Sequence, residues 1–531
     1  MAHDLSVSDP KAGAGHTSGR RRLTLAVLCI TLLLVSLDNT ILNVALPTIV
    51  RTLHATSSEL QWIVASYSVT LAGLLLSIGA LGDRVGRKWV FMAGLSIFGG
   101  GSAAAAWSAT PDLLTLARVS MGIGAAALMP STLSILINVF AEEGERARAI
   151  GIWSGTAGIG VAAGPIFGGF LLAHYWWGSV FLVNVPICVI GLVATALFVP
   201  NSRNVEARRA DPAGALLSIG GFGLVLWAII EAPNLGWSSP SVLAALIGGV
   251  TVIGLFAVWE RRTHSPMLPL RFFRNPRFST AIASLGLVIF ALIGMFFLLT
   301  QYLQFDLGYT ALQSGLRIGP IAAVILVVAP LSIVAVRRFG NRLVVVIGLV
   351  LIATGLAILS RTSATTTYGE ALPALLLLGI GSGLAMAPST ESIMGSLPPD
   401  DAGVGSATSE TAMQMGGALG VGVLGTILNL RYRAGVTGLL AGHSIPASVR
   451  TIVTGSLGGA LAVAQKVPGK SGALLAQGAR AAFISGMDRG LVVGAVVVAA
   501  ACLVVLLLLP NRSAEAQRSA ETTRESGGDG E

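Results

Sequence analysis

Apolar runs of about 20 residues recur through this 531-residue chain, and they limit its fold more than any other feature. A helix of about 20 apolar residues crosses the hydrocarbon core of a bilayer. In lipid every backbone N–H and C=O must find a partner within the protein, and a helix supplies those partners within one segment. The runs predict fourteen spans, near 24–49, 60–82, 89–109, 112–138, 147–172, 178–199, 212–231, 241–260, 278–301, 313–336, 343–360, 370–396, 403–428 and 487–509. Composition leaves little alternative. The chain is 53% hydrophobic and 11% charged, whereas soluble domains carry about a quarter charged residues. The first run is too long for the core of a signal peptide and no small-residue cleavage site follows it, so it is expected to remain as a span.

The net charge of +9 could point to nucleic acid, but its placement is that of a topology signal. With the N-terminus inside, the inner loops collect Lys11, Arg20, Arg21 and Arg22, then Arg84, Arg87, Lys88, Arg146 and Arg148. They continue with Arg203, Arg208, Arg209, Arg261, Arg262, Arg271, Arg274, Arg277, Arg337, Arg338 and Arg342, while the short outer loops hold Arg51 and Arg361. The positive-inside rule then sets both termini in the cytoplasm. The stretch 430–486 is basic and outside, but long loops are exempt from the rule. It is expected to lie at the membrane surface, with Ile445–Thr454 and Ala473–Ile484 as amphipathic pieces. The tails, 1–23 and 511–531, read as disordered. Cys29, Cys188 and Cys502 all fall inside apolar runs, where they read as core residues rather than a disulfide framework.

An internal repeat divides the chain. Asp83-Arg84-Val85-Gly86-Arg87-Lys88 follows the second span, and Arg337-Arg338-Phe339-Gly340-Asn341-Arg342 follows the tenth. Duplicated six-helix halves with a site between them are a transporter architecture. The expected fold is therefore an all-α polytopic membrane protein: a six-helix bundle at 24–200, two inserted linker helices at 201–262, and a second six-helix bundle at 263–510. The second copy of the loop carries Arg337 where the first carries Asp83, so any role of the acid rests on the first copy.

Gly79, Gly82 and Gly86 allow a tight turn in the first loop, and Asp83 among Arg84, Arg87 and Lys88 can dock on a neighbouring helix end and hold a gate. The pattern Gly79-Ala80-Leu81-Gly82-Asp83-Arg84-Val85-Gly86-Arg87-Lys88 resembles the loop motif of the major facilitator superfamily. Leu37-Asp38-Asn39-Thr40-Ile41-Leu42-Asn43-Val44-Ala45-Leu46-Pro47 resembles the first-helix motif of its 14-span drug:proton antiporters. Arg118 with Gly122 and Gly124 resembles the fourth-helix motif. The run from Gly160 through Gly164, Pro165, Gly168 and Gly169 resembles the fifth-helix antiporter motif, and Phe181–Pro186 also fits. The resemblance covers roughly 25–430 and the last helix. It implies alternating-access export in a bacterial inner membrane, by a monomer, without metal or organic cofactor. The acidic thirteenth helix and long last outer loop look most similar to exporters of quaternary ammonium compounds and methyl viologen. Those exporters can carry a further acid where this chain has Gln414.

Charges inside spans are costly and usually functional. Asp38, Arg118, Arg317, Glu391 and Glu410 are the candidates. A carboxyl group removed from water favours its neutral form, which suits it to taking and releasing protons. Asp38, Arg118 and Glu410 are read as the proton-coupling set, with Asp38, Glu410, Glu391, Met413 and Gln414 facing substrate. Met413 and Gln414 share a helical face with Glu410, and flexible Met suits a promiscuous pocket. Arg317, near an outer end, reads as a snorkelling side chain. Gly160, Gly164, Pro165, Gly168 and Gly169 are expected to let the fifth helix pack closely and bend.

Three patterns are set aside. Gly420–Gly425 matches a dinucleotide pattern but lies mid-span with no strand before it. Gly469-Lys470-Ser471 ends like a phosphate loop, yet Ala464 occupies the first glycine position. Trp176-Trp177 reads as an interfacial anchor. No nucleotide or nucleic acid is expected, and an enzyme is disfavoured because His3, His16, His54, His174, His264 and His443 lie in tails or loops. The expected function is proton-coupled export of hydrophobic or cationic drugs, dyes or antibiotics. The alternatives are export of a self-made antibiotic, lipid or siderophore, or import of a nutrient.

Overall fold

A computed structural model describes residues 10–140, 142–203, 210–263, 266–363, 366–398, 401–441 and 445–508. The chain forms α1 (Pro10–Leu53), α2 (Ser57–Val85), α3 (Arg87–Ala106), α4 (Pro111–Val139), α5 (Glu143–His174), α6 (Ser179–Leu182) and α7 (Asn184–Phe198). The linker pair is α8 (Pro212–Leu235) and α9 (Pro240–Arg262). There follow α10 (Pro276–Gln301), α11 (Ala311–Phe339), α12 (Asn341–Leu359), α13 (Tyr368–Met394), α14 (Ala402–Leu439), α15 (Ala447–Gly455), α16 (Leu457–Lys466) and α17 (Lys470–Leu508). A π-helical turn, Tyr302–Asp306, prolongs α10. Among the described residues there is no strand, and fourteen helical segments are long and apolar enough to cross a membrane, α6 and α7 together making one.

The repeat is visible in the packing. In the first half α1 packs on α5, α2 on α4, and α3 on both α4 and α7; in the second, α10 packs on α14, α11 on α13, and α12 on both α13 and α17. The two halves meet through α2 against α14 and α5 against α11, with α8 seated on α2 and α14. Even the helix starts repeat. Thr56 accepts from Glu59 N while Glu59 accepts from Thr56 N at the head of α2, and Thr310 with Gln313 builds the same capping box at the head of α11. Such boxes satisfy two of the amides that a helix N-terminus leaves bare. Gly86 (φ +130°) and Gly340 (φ +84°) close the two Arg/Gly turns in backbone conformations that side chains disfavour.

Two expectations are corrected. The N-terminal tail is shorter than 1–23, because α1 begins at Pro10; residues 1–9 and the tail 511–531 lie outside the described residues. The connection expected over 430–486 shrinks to Leu440–Gly469, since α14 runs on to Leu439 and α17 starts at Lys470. An apolar run measures the thickness of the bilayer, not the length of the helix. Beyond the run, α14 and α17 continue to pack on each other, with Tyr432 and Phe483 buried and a β-carbon on Gly435 2.8 Å from Ala482 Cβ. Ala473–Ile484 is accordingly part of α17. The other amphipathic piece becomes α15, which is tied to the bundle: Tyr432 Oη donates to Val453 O (2.8 Å) and Ser456 O (3.0 Å).

Candidate transport site

Among the described residues, the first-half spans bury the ion pair of Arg118 with Asp38. Arg118 Nη1 on α4 donates to Asp38 Oδ2 on α1 at 2.6 Å, with Asp38 0% and Arg118 2% exposed. Asn184 Nδ2, at the start of α7, donates to Asp38 Oδ1 (3.2 Å) and to Ser102 Oγ on α3 (3.2 Å). Arg118 Nε donates to Ile63 O (3.2 Å), and the guanidinium carbon lies 4.2 Å from the Tyr67 ring centroid. Gly122 permits this geometry, because a β-carbon there would sit 2.8 Å from Tyr67 O. Burial of two charges is tolerable when each is paired and hydrogen-bonded, and removal of one partner strands the other. The pair is enclosed by α1, α2, α3, α4 and α7.

A separate cavity of about 350 Å³ lies beside the end of α2 that leads into the first Arg/Gly turn. Its wall includes Asp83 from α2, Asp211 before α8 and Glu410 from α14, together with Met129, Trp153 and Met267. Among the described residues, no Lys, Arg or His lines it. This size falls in the range of small-molecule sites, about 300–1,000 Å³. Gln414 Nε2 donates to Glu410 Oε1 (2.8 Å).

At the opposite end the halves are closed on each other. Gln304 Nε2 donates to Val44 O (2.9 Å), Arg51 stacks 5.1 Å over Phe305, and Ser57 Oγ donates to Gly455 O (3.1 Å). A β-carbon on Gly169 of α5 would lie 2.6 Å from Leu312 Cα on α11, so only glycine allows that approach. Gly160 meets α1 as closely: its β-carbon would be 2.8 Å from Ser36 Cβ, and Gly164 and Gly168 face Thr40 and Ile41 of the same helix. Pro165 sits within this contact, its carbonyl against Gly315.

The first Arg/Gly turn is docked within its own half. Arg87 Nε donates to Asp83 Oδ1 (2.7 Å), Arg87 Nη1 to Ser134 O (3.3 Å) and Lys88 Nζ to Ala196 O (2.8 Å). Gly79 lies against Pro130, Gly86 makes the turn, and Arg84 is partly exposed. Asp83 therefore holds Arg87 against a carbonyl of α4, while Lys88 meets a carbonyl in the last turn of α7.

The structure brings some of the sequence-expected residues together and separates others. Asp38 joins Arg118 but is not on the cavity wall, contrary to its expected contact with substrate. Glu410 is on the wall beside Gln414. Met413 turns away to the apolar cluster around Phe278 and Ile393, and the cavity methionines are Met129 and Met267. Glu391 is exposed near the end of α13 and off the wall. Arg317 does not snorkel freely; it is stacked on Tyr309 (3.8 Å) and Tyr368 (5.4 Å). Asn184 belongs to the Phe181–Pro186 motif, but its bond to Asp38 was not foreseen. The signal was present, a side-chain amide inside an apolar helix that must find a partner. Asp211 was missed because it precedes its apolar run.

Comparison with known proteins fits this geometry. The family model described as Major Facilitator Superfamily matches residues 28–421. The "Multidrug efflux pump LfrA" of Mycolicibacterium smegmatis is 37% identical over 486 residues, covering 91% of this chain and 95% of that protein. The "Tetracenomycin C resistance and export protein" of Streptomyces glaucescens is 33% identical, covering 92% and 93%. The "Methyl viologen resistance protein SmvA" of Salmonella typhimurium is 33% identical, covering 88% and 93%. Among solved structures, a bacterial homologue of the human lysosomal transporter Spinster, inward-facing and unoccupied, superposes with a TM-score of 0.63 at 18% identity, covering 92% of this chain and 97% of that one.

Proposed function

Because this chain belongs to the Major Facilitator Superfamily, we propose that it is a proton-coupled exporter of lipophilic and cationic drugs in a bacterial cell membrane. The observation that carries the reading is the cavity wall, where Asp83, Asp211 and Glu410 stand beside Met129, Met267 and Trp153, with no cation among the described lining residues. Carboxylates attract an organic cation, and thioether and indole surfaces accept its apolar body without demanding one shape. The relatives' names, which include a multidrug pump and a methyl viologen resistance protein, support the same substrate class.

The Arg/Gly end is the cytoplasmic end by the positive-inside rule, so the closed far end and open cavity correspond to an inward-facing monomer. The roles then divide. Glu410, held by Gln414, draws the cation into the cavity. Asp38 is the coupling acid: Arg118 and Asn184 donate to its two oxygens, and a proton on Asp38 releases Arg118 from its charged partner. That exchange changes the packing of α1 against α4 and α7, and α1 carries Val44, which bonds to Gln304 in the far-end seal. Binding of the proton and packing of the seal are thus linked through one helix, as coupling requires.

The reading is tested in inverted vesicles. Dye export must persist without ATP and collapse on addition of an uncoupler. Export that requires ATP and resists the uncoupler overturns it. A second reading, export of a self-made metabolite, draws on the tetracenomycin export relative; it keeps the same mechanism and changes only the cargo.

A further inference from the structure

We propose that Asp211 and Glu260 form a proton-binding site of their own, in which one shared proton holds the linker hairpin against the cavity. The two acids stand at the two ends of the hairpin, Asp211 as the N-cap of α8 and Glu260 in the last turn of α9. Asp211 is 7% exposed and Glu260 is 3% exposed. Asp211 is well satisfied: Gly214 N donates to Oδ1 (2.9 Å), and Trp259 Nε1 donates to Oδ1 (3.0 Å) and Oδ2 (2.8 Å). Glu260 is only half satisfied. Its Oε2 accepts from Leu268 N (3.0 Å), while Oε1 is buried with no donor.

That bare oxygen and an oxygen of Asp211 flank the same glycine. A β-carbon on Gly214 would lie 2.6 Å from Asp211 Oδ2 and 3.1 Å from Glu260 Oε1, so both oxygens border one small space that glycine leaves empty. Among the described residues no Lys, Arg or His forms a salt bridge with either acid. Arg261 and Arg262, next on α9, are exposed. On the 3₁₀ turn beside α9, Arg271 is paired with Asp401. From α2 the facing group is the neutral Ser77, with Asp83 further along, and α14 offers Glu410; both are acids on the same cavity wall. Two buried like charges repel, and a proton bound between them relieves that repulsion. Bound to Glu260 Oε1, it supplies the missing donor, and Asp211 Oδ2 faces it.

The site is wired to the cavity. Ser77 Oγ donates to Asp211 O (2.9 Å) and lies 3.5 Å from Met267 Sδ, and Asp211 and Met267 both line the wall. Loss of the shared proton drives the ends of α8 and α9 apart and loosens the segment 266–268 from α2. This site is separate from Asp38, and its test does not depend on transport.

The reporter protein carries Met267→Cys in the full-length chain, held in lipid discs, and its alkylation by N-ethylmaleimide is followed from acid to mildly alkaline pH. Rates are normalised to a free thiol and corrected for the background of the protein that keeps Met267. The normalised rate must rise severalfold with pH, and Glu260→Gln, whose amide oxygen still accepts from Leu268 N, must hold it flat at the acid value. Asp211→Asn, which removes the like charge from the other side, must flatten it as well. A slope that survives in either variant, or no slope in the reporter protein itself, overturns the proposal.

Discussion

Arg118 Nη1 and Asp38 Oδ2 lie 2.6 Å apart in a pocket closed to solvent, on α4 and α1, although 80 residues separate them in sequence. Glu410 is on the cavity wall, and the acid that meets arginine is shut inside the first half.

Breaking the pair from one side is expected to cost stability. Arg118→Ala strands an ionised Asp38, a loss of about 3–5 kcal/mol where a buried pair is broken. The double variant Asp38→Asn/Arg118→Met removes both charges and should recover much of that loss. Thermal unfolding in detergent measures it; a double variant no more stable than Arg118→Ala contradicts the pairing.

Glu410→Gln is expected to discriminate between substrates. It keeps the bond to Gln414 possible but removes a charge from the wall, worth about 1–2 kcal/mol to a cation at close range in a partly wet site. The apparent KM for a cationic dye should rise about tenfold while a neutral substrate is exported as before. Equal loss of both substrates contradicts this role.

Asp83→Asn is expected to fold and insert yet to slow the cycle. The Asp83–Arg87 contact, partly exposed, is worth at most about 1.5–3 kcal/mol, and about 1.4 kcal/mol already shifts a two-state balance tenfold. Efflux about tenfold below wild type at matched expression is predicted; wild-type efflux rules it out.

Gly169→Leu is expected to block closure of the far end. The added side chain starts 2.6 Å from Leu312 Cα, where overpacking costs about 1–3 kcal/mol or forces the helices apart. A cysteine pair across α5 and α11 at that end should crosslink when Gly169 is kept and fail to crosslink in the variant. Equal crosslinking in both contradicts the fit.

Much of this molecule was legible in its sequence because lipid is an unforgiving solvent. The need to satisfy every backbone group in hydrocarbon fixed fourteen spans, and the twin Arg/Gly turns at Gly86 and Gly340 exposed the repeat. The glycines of α5 were legible too, since Gly160, Gly164 and Gly168 recur at the spacing of one helical face. What faces what was not legible. Asp38 and Glu410 are both acids in mid-span, but only the packing of α1 against α4 and α7 turns one inward to Arg118 and Asn184. Met413 and Gln414 are neighbours on α14, yet one residue of rotation sends Met413 into the core around Phe278. The reach of α14 and α17 past the lipid was hidden because Arg431 and Arg433 end the apolar run while helix packing continues through Tyr432 and Gly435.

The central claim, that a proton on Asp38 drives export, is tested most directly in proteoliposomes with an imposed pH gradient and no nucleotide. The wild-type protein must accumulate a lipophilic cation against its gradient and lose that accumulation with an uncoupler, while Asp38→Asn must carry it no further than equilibrium. Uphill accumulation by Asp38→Asn at the wild-type level would contradict the account.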